Sequence, residues 1–336
     1  MTAATQSEFP AMQRMSYLDA IVQAQVEEMS RDERVILMGE DLAIYGDGKV
    51  LQAFGDLRVW STPISENSFT GLAVGAAMTG MRPVVTLGIA SFLYLASDQI
   101  INQASKLHYM TGGQMKVPAV FRCALYYGKS IAAQHSDRCY PMFMNAPGLK
   151  VIAPTDPADM KGLLKAAIRD DDPVVVFEDS AFWGLKSDVP TDPGFLVPIG
   201  KAAVKRAGSD VTVVGIAGGM KPALAAAVAL EKEGISVEVV DPRTLVPLDM
   251  DTILESVAKT GRLVLVDIAN RTCNGAAEIA ATVAQAGFQY LKKPVLRLST
   301  PDVHIPFSSV MEKPLYPNKD HVIGAVKELL DLESVV

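Results

Sequence analysis

Five nearly unbroken runs of β-branched and aliphatic residues constrain this chain more than any other feature: PVVTL at 83–87, VPAVF at 117–121, PVVVFE at 173–178, VTVVGI at 211–216 and LVLVD at 263–267. A strand that is apolar at successive residues must be covered on both faces, the condition of a parallel sheet packed between helices. The intervening segments carry helical spacing. Over 16–29 it runs through Leu18, Ile21, Val22, Val26 and Met29, with Gln25 the one polar intruder; over 98–110 it runs through Ile100, Ile101, Ala104 and Leu107. Further strands are predicted at 34–38, 151–153, 237–240 and 295–298. Further helices are predicted at 71–80, 157–168, 220–233, 250–259, 274–286 and from about His321.

The stretch DVPTDPGFLVPIG at 188–200 holds three prolines and two glycines and breaks both periodicities, which places a domain boundary there. The expected plan is a loose leader at 1–14, a first α/β domain at 15–187, a linker at 188–200 and a second, smaller α/β domain at 201–336. A length of 336 residues suits two such domains. A formal charge of -7 gives no pull toward nucleic acid or an anionic membrane, and no basic run appears. Cys123, Cys139 and Cys273 are too few for a disulfide framework and lack C-x-x-C spacing, so a reducing compartment is expected. The longest apolar stretch, 84–96, is interrupted by Thr86 and Ser91 and is too short to span a bilayer. The first residues lack a basic region followed by an apolar one, so no secretory signal is read and the expected location is cytoplasmic.

Three glycine features could suggest phosphate binding. Gly46-Asp47-Gly48 lacks both the Walker spacing and the asparagine that a GDG diphosphate-magnesium motif needs some turns later. Gly71, Gly75 and Gly80 suit close helix approach, and Gly218-Gly219 suits a strand-to-helix turn. His135 stands in a long aperiodic segment, 122–148, and reads equally as a functional loop histidine or as a surface or cap histidine. His108, His304 and His321 read as structural. Glu66, in TPISEN, is either a first-turn acid favoured by the helix dipole or a buried acid with a raised pKa. Phe92 and Tyr94 are by default core aromatics.

The motifs TPISENSFTGLAVGAAMTGMRPVV, ASDQIINQASKLHYMTGGQMKVPAVFR, AAQHS and APGLKVIAPTDPADMKGLLKAAIRDDDPVVVFE change this balance. Taken in order, they resemble the beta subunit of the decarboxylating component of 2-oxo acid dehydrogenase complexes. That family includes the pyruvate, branched-chain and acetoin enzymes and belongs to the thiamine diphosphate-dependent transketolase superfamily. The resemblance runs from about Met15 to the C-terminus and implies a transketolase pyrimidine-binding domain followed by a transketolase C-terminal domain. It also implies an α2β2 assembly with thiamine diphosphate between the chains, the α chain holding the diphosphate and Mg2+ and this chain the aminopyrimidine. By the same motifs, Glu66 would bond pyrimidine N1′ and drive the amino–imino shift, Phe92 would stack on the pyrimidine, and Ile64 would lie beside it. His135 would steer the substrate carboxylate and assist acyl transfer to a lipoyl group. Main-chain oxygens at Ala119, Ala167, Asp170 and Asp172 would match a K+ site, and the second domain would serve dimerisation and contact with a lipoyl acyltransferase core.

The chain also departs from that pattern. Cys123-Ala124-Leu125-Tyr126-Tyr127-Gly128-Lys129-Ser130 replaces a Pro- and Gly-rich loop, Asp137 and Asn145 stand at unusual places after the QHS motif, and Asp267-Ile268-Ala269-Asn270 replaces an acidic, Gly-rich turn. The stretch 43–50 is shorter and less glycine-rich than usual. Tyr126, Tyr127, Lys129 and Asp137 are therefore candidate substrate-pocket residues; the two tyrosines and the lysine could equally be an adaptation to a divergent α partner. The resulting expectation is oxidative decarboxylation of a 2-oxo acid, or acetoin cleavage, with a changed acyl donor or acceptor. The rivals are a carboligase or transketolase-like enzyme working outside a complex and a non-catalytic regulatory subunit. A nicotinamide-dependent oxidoreductase is disfavoured because no G-x-G-x-x-G follows the first strands.

Overall fold

The computed structural model describes residues 11–42, 46–126 and 128–332. β1 (Met12–Ser16) leads into α1 (Tyr17–Arg31), whose start is fixed by Ser16: its Oγ accepts the Asp19 amide at 3.1 Å. β2 (Val35–Gly39), α2 (Gly48–Phe54), β3 (Val59–Ser61), α3 (Glu66–Met78) and β4 (Arg82–Ile89) follow, and β4 ends in a 3-10 turn at Ala90–Phe92. The helix predicted at 98–110 starts earlier and is composite: α4 (Leu93–Ser97), a π-helical turn at Asp98–Ala104 and α5 (Ser105–Met110). β5 (Val120–Leu125) begins three residues later than the run VPAVF suggests, because ladder pairing starts only where Val120 meets Val84 on one side and Val174 on the other. Next come α6 (Tyr140–Met144), β6 (Lys150–Ile152), α7 (Pro157–Arg169), β7 (Val174–Asp179) and β8 (Lys186–Pro190).

The second half runs β9 (Ala203–Arg206), β10 (Val211–Ile216), α8 (Met220–Glu231), β11 (Val237–Asp241), β12 (Thr244–Val246) and α9 (Met250–Thr260). It continues through β13 (Leu263–Asn270), α10 (Gly275–Ala286), β14 (Leu296–Thr300), α11 (Ser309–Glu312) and α12 (Lys319–Leu329). A seven-stranded sheet has the order β12-β6-β7-β5-β4-β2-β3, and a five-stranded sheet the order β14-β13-β10-β11-β9. Both are parallel except for one antiparallel edge strand each, β12 and β9.

Two features depart from the predicted plan. β1 and β8 form an antiparallel ribbon, so the chain is already a strand at Met12, inside the stretch read as a loose leader, and the stretch read as a linker begins in a strand. β12, from the second half, completes the edge of the first sheet. The apolar cores are likewise shared: one holds Phe121 and Phe177 with Ile216 and Ile268, the other Tyr17 and Leu37 with Val213 and Met220. The Tyr140 hydroxyl donates to Asp267 between the two halves. Among the described residues no helix is long and apolar enough to cross a membrane.

The site is positioned by strand order. From β2 the chain steps to β3 on one side and then returns to β4 on the other, so the connections part company between β2 and β4. In open parallel sheets ligands bind beyond the carboxyl ends of the strands at such a point.

Candidate active site

Three segments converge beyond the carboxyl ends of β2, β3 and β4. β2 ends at Gly39, where an added Cβ would stand 2.1 Å from the Thr86 carbonyl oxygen of β4, so the two strands approach as only glycine allows. Glu40 follows directly. The segment after β3 is tied to the same place, with the Thr62 amide donating to the Gly39 carbonyl at 2.9 Å, and it delivers Glu66 as the first residue of α3. After β4, the turn at Ala90–Phe92 delivers Phe92.

Glu66 is 6% exposed and Glu40 is 2% exposed. Among the described residues no partner reaches either oxygen of the Glu40 carboxylate. Burial, with the nearby charges of Glu66 and Asp41, pushes Glu40 up to about 7. Two buried carboxyls thus sit together, and ionising Glu40 is harder than ionising an exposed acid. The sequence reading missed Glu40; the one signal it offered was an acid placed directly after the fully apolar strand VILMG.

Phe92 and His135 are both half-buried and meet edge to face, ring centroids 5.7 Å apart at 79°. His135 closes a 3-10 turn at Ala133–His135. Ile64 is 74% exposed two residues before Glu66, and Leu72 of α3 and Tyr94 and Leu95 of α4 are exposed as well. Gly71 packs toward the Gln99 side chain, whereas Gly75 faces open space, so only part of the small-residue stripe serves helix approach within this chain. Tyr94 is exposed and so departs from its default as a core aromatic.

The substrate-pocket candidates scatter. Tyr126 packs edge-on against Trp183 at 5.5 Å, and Lys129 is exposed. Asp137 is half-buried and lines a cavity of about 260 Å3 with Ser136, Asn270, Asp302 and His304. Tyr127 lies outside the described residues. Ala119, Ala167, Asp170 and Asp172 gather around the turn from α7 into β7. The Ala119 carbonyl accepts the Val174 amide at 3.0 Å, and Ala167 accepts Asp170 at 3.2 Å. This turn already carries two cationic side chains: Arg82 donates to the Asp170 carbonyl, and Lys150 Nζ lies 2.7 Å from the Asp170 carboxylate and 3.0 Å from that of Asp172.

Asp47 of the GDG sequence has a structural use that spacing did not suggest. It is fully buried, accepts the Thr86 hydroxyl at 2.8 Å and the Arg122 guanidinium at 3.2 Å, while Arg122 Nε donates to Glu178 at 2.6 Å. Among the described residues no group of three or more His, Cys, Asp or Glu side chains could hold a metal ion.

The sequence matches the family described as "Transketolase, pyrimidine binding domain" over residues 13–181 and "Transketolase, C-terminal domain" over residues 200–322. It is 46% identical over 322 residues to the pyruvate dehydrogenase E1 component subunit beta of Rhizobium meliloti, covering 94% of this chain and 70% of that protein. It is 42% identical over 333 residues to the acetoin:2,6-dichlorophenolindophenol oxidoreductase subunit beta of Bacillus subtilis, covering 94% and 97%. It is 41% identical over 327 residues to the 2-oxoisovalerate dehydrogenase subunit beta of Bacillus subtilis, covering 95% and 100%. A solved structure titled as a split-gene transketolase, inactive beta4 tetramer, superimposes with a TM-score of 0.78 at 22% identity, over 95% of this chain and 99% of that one, a likeness of fold.

Proposed function

Since this chain belongs to the transketolase-domain family and has close relatives among the beta subunits of 2-oxo acid and acetoin dehydrogenases, we propose that it is the beta half of a heteromeric thiamine diphosphate enzyme. The reaction is cleavage of the carbon–carbon bond next to a carbonyl, by oxidative decarboxylation of a 2-oxo acid or by acetoin cleavage, with the acyl group passed to a lipoyl carrier. The observation that carries this reading is Glu66, buried at the start of α3 beside the Glu40 carboxylate, which has no hydrogen-bond partner among the described residues.

The residues fit the pyrimidine half of the cofactor. A buried acid able to share a proton, a half-buried aromatic ring and an exposed aliphatic side chain, Glu66, Phe92 and Ile64, supply a hydrogen bond, a stacking face and an apolar flank. When bound, thiamine diphosphate supplies the electron sink for bond cleavage. Glu66 would hydrogen-bond pyrimidine N1′ and share a proton there. His135, set against Phe92, orients the substrate carboxylate and assists acyl transfer.

The α chain would hold the diphosphate and Mg2+ and cover the exposed apolar rim of Ile64, Leu72, Tyr94 and Leu95, since such a rim beside buried carboxyls suits a protein contact. A K+ ion at the turn from α7 into β7 would use the remaining lone pairs of the Ala119, Ala167, Asp170 and Asp172 carbonyls and stiffen that turn. Asp137 and Asn270, both departures from the family pattern, share one cavity and are the residues assigned to substrate choice. Calorimetric titration of thiamine diphosphate into this chain, into its α partner and into the assembled pair tests the reading. The pair alone should bind; equal binding by this chain alone would remove the shared-site account.

A further inference from the structure

The loop that carries His135 is held by the far end of the chain where its own backbone is strained. Ser130 and Ala132 have φ of 56° and 65°, left-handed values that non-glycine residues adopt only when their surroundings impose them. Glu312, at the end of α11, is 1% exposed. Its Oε2 accepts the Ser130 amide at 2.8 Å and the Ser130 hydroxyl at 3.3 Å, and its Oε1 accepts the Tyr316 hydroxyl at 3.0 Å. The buried Tyr316 ring lies under the Arg138 guanidinium, 4.5 Å from Cζ to ring centroid. Arg138 in turn donates to the carbonyls of Ser136 and Tyr126, the latter at 2.7 Å. Residues 130 and 138 are thus both tied to 312–316, and His135 lies between the two ties.

We propose that Glu312, Tyr316 and Arg138 form a clamp by which the second domain sets the position of His135 against Phe92. They are positioning residues. A buried carboxylate filled by three donors forces the left-handed turn at Ser130, which fixes the loop's exit from β5; the Arg138–Tyr316 stack fixes its return toward α6. The role in substrate handling rests on the function proposed above, whereas the role in ordering the loop does not.

The test uses the chain assembled with its α partner, comparing Glu312→Ala, Glu312→Gln and Tyr316→Phe with the natural enzyme. Amide hydrogen exchange is measured without cofactor over residues 128–138 and over α3, followed by thiamine diphosphate affinity and then kcat and KM with a turned-over 2-oxo acid. In Glu312→Ala, exchange over 128–138 should rise about tenfold or more while α3 stays unchanged. Cofactor affinity should stay within about twofold and kcat/KM should fall about tenfold or more, as expected when a reacting group is misplaced from a distance. Glu312→Gln keeps an acceptor oxygen for Ser130 and should recover most of the loss. Tyr316→Phe keeps the ring under Arg138 and should show a smaller loss in the same direction. If Glu312→Ala fails to assemble, Tyr316→Phe decides by the same measures. Unchanged exchange over 128–138 would overturn the clamp, and so would a parallel loss of cofactor affinity and kcat/KM, the mark of general unfolding. Absence of thiamine diphosphate binding by the natural pair would sink the functional reading, and the exchange measurement would still decide the clamp.

Discussion

Glu66 and Glu40 put two carboxyls in one buried pocket, and their substitution should separate chemistry from stability. Glu66→Gln keeps the shape and a hydrogen-bonding amide but cannot share a proton at pyrimidine N1′, so turnover should fall at least about a hundredfold while sedimentation of the assembly is unchanged. Near-normal activity in that variant would remove the assigned role. For Glu40 the sign follows from its pKa. The folded value, about 7, is raised above the ordinary carboxylate value, so ionising Glu40 opposes folding. That penalty is complete above about pH 7 and fades as pH falls toward the ordinary value near 4.3. The gain in Tm of Glu40→Gln over the natural protein should be largest above neutrality and vanish in mild acid; a gain independent of pH would contradict the assignment. Glu66 and His135 were nameable as candidates from the sequence because each sits in a motif of the resemblance, and Phe92 because it lies between two of those motifs. Glu40 was not, because nothing in MGED distinguishes a buried acid from an ordinary loop acid until β3 and α3 are folded against it.

At the scale of elements, the parallel strands announced themselves through continuous apolar runs, while the short, polar or antiparallel pieces did not. β3, β8, β9 and β12 owe their existence to a neighbour's free edge, which no local pattern encodes. The Asp47–Arg122–Glu178 cluster was illegible for the same reason, since its ion pairs join residues 75 and 56 apart in sequence. Burial pushes the Glu178 carboxyl up, and the Arg122 guanidinium offsets this only in part. Arg122→Met should therefore leave two buried carboxylates facing apolar surroundings and cost about 3–5 kcal/mol, read as a lower urea midpoint; a change under about 1 kcal/mol would show that water already reaches the cluster. Gly39→Ala should separate β2 from β4 at Thr86, because the added methyl has a carbonyl oxygen in its place. It should lower thiamine diphosphate affinity in the assembled enzyme by displacing Glu40 and the Thr62–Gly39 tie, and unaltered affinity would argue against that tie as a support of the site.

At the scale of the whole molecule, the stretch rich in proline and glycine was read as a boundary between two α/β domains; two main sheets form, yet the halves do not stand apart. They share two apolar cores, a ribbon joins Met12–Ser16 to Lys186–Pro190, and Thr244–Val246 edges the first sheet. A sequence boundary marks a change of sheet, whereas packing decides cooperativity, so a single unfolding transition is expected in calorimetry; two resolved transitions would contradict the shared cores. On the proposed reading this chain supplies one half of a shared site: the buried acids Glu66 and Glu40, the half-buried Phe92 ring and the exposed apolar side chains of Ile64, Leu72, Tyr94 and Leu95. The most direct test of the central claim is thiamine diphosphate-dependent dye reduction by this chain assembled with its α partner, offered pyruvate, branched-chain 2-oxo acids and acetoin in parallel. The account predicts reduction with at least one of these, dependent on the cofactor and lost in Glu66→Gln; no reduction with any of them by a pair that binds the cofactor would contradict it.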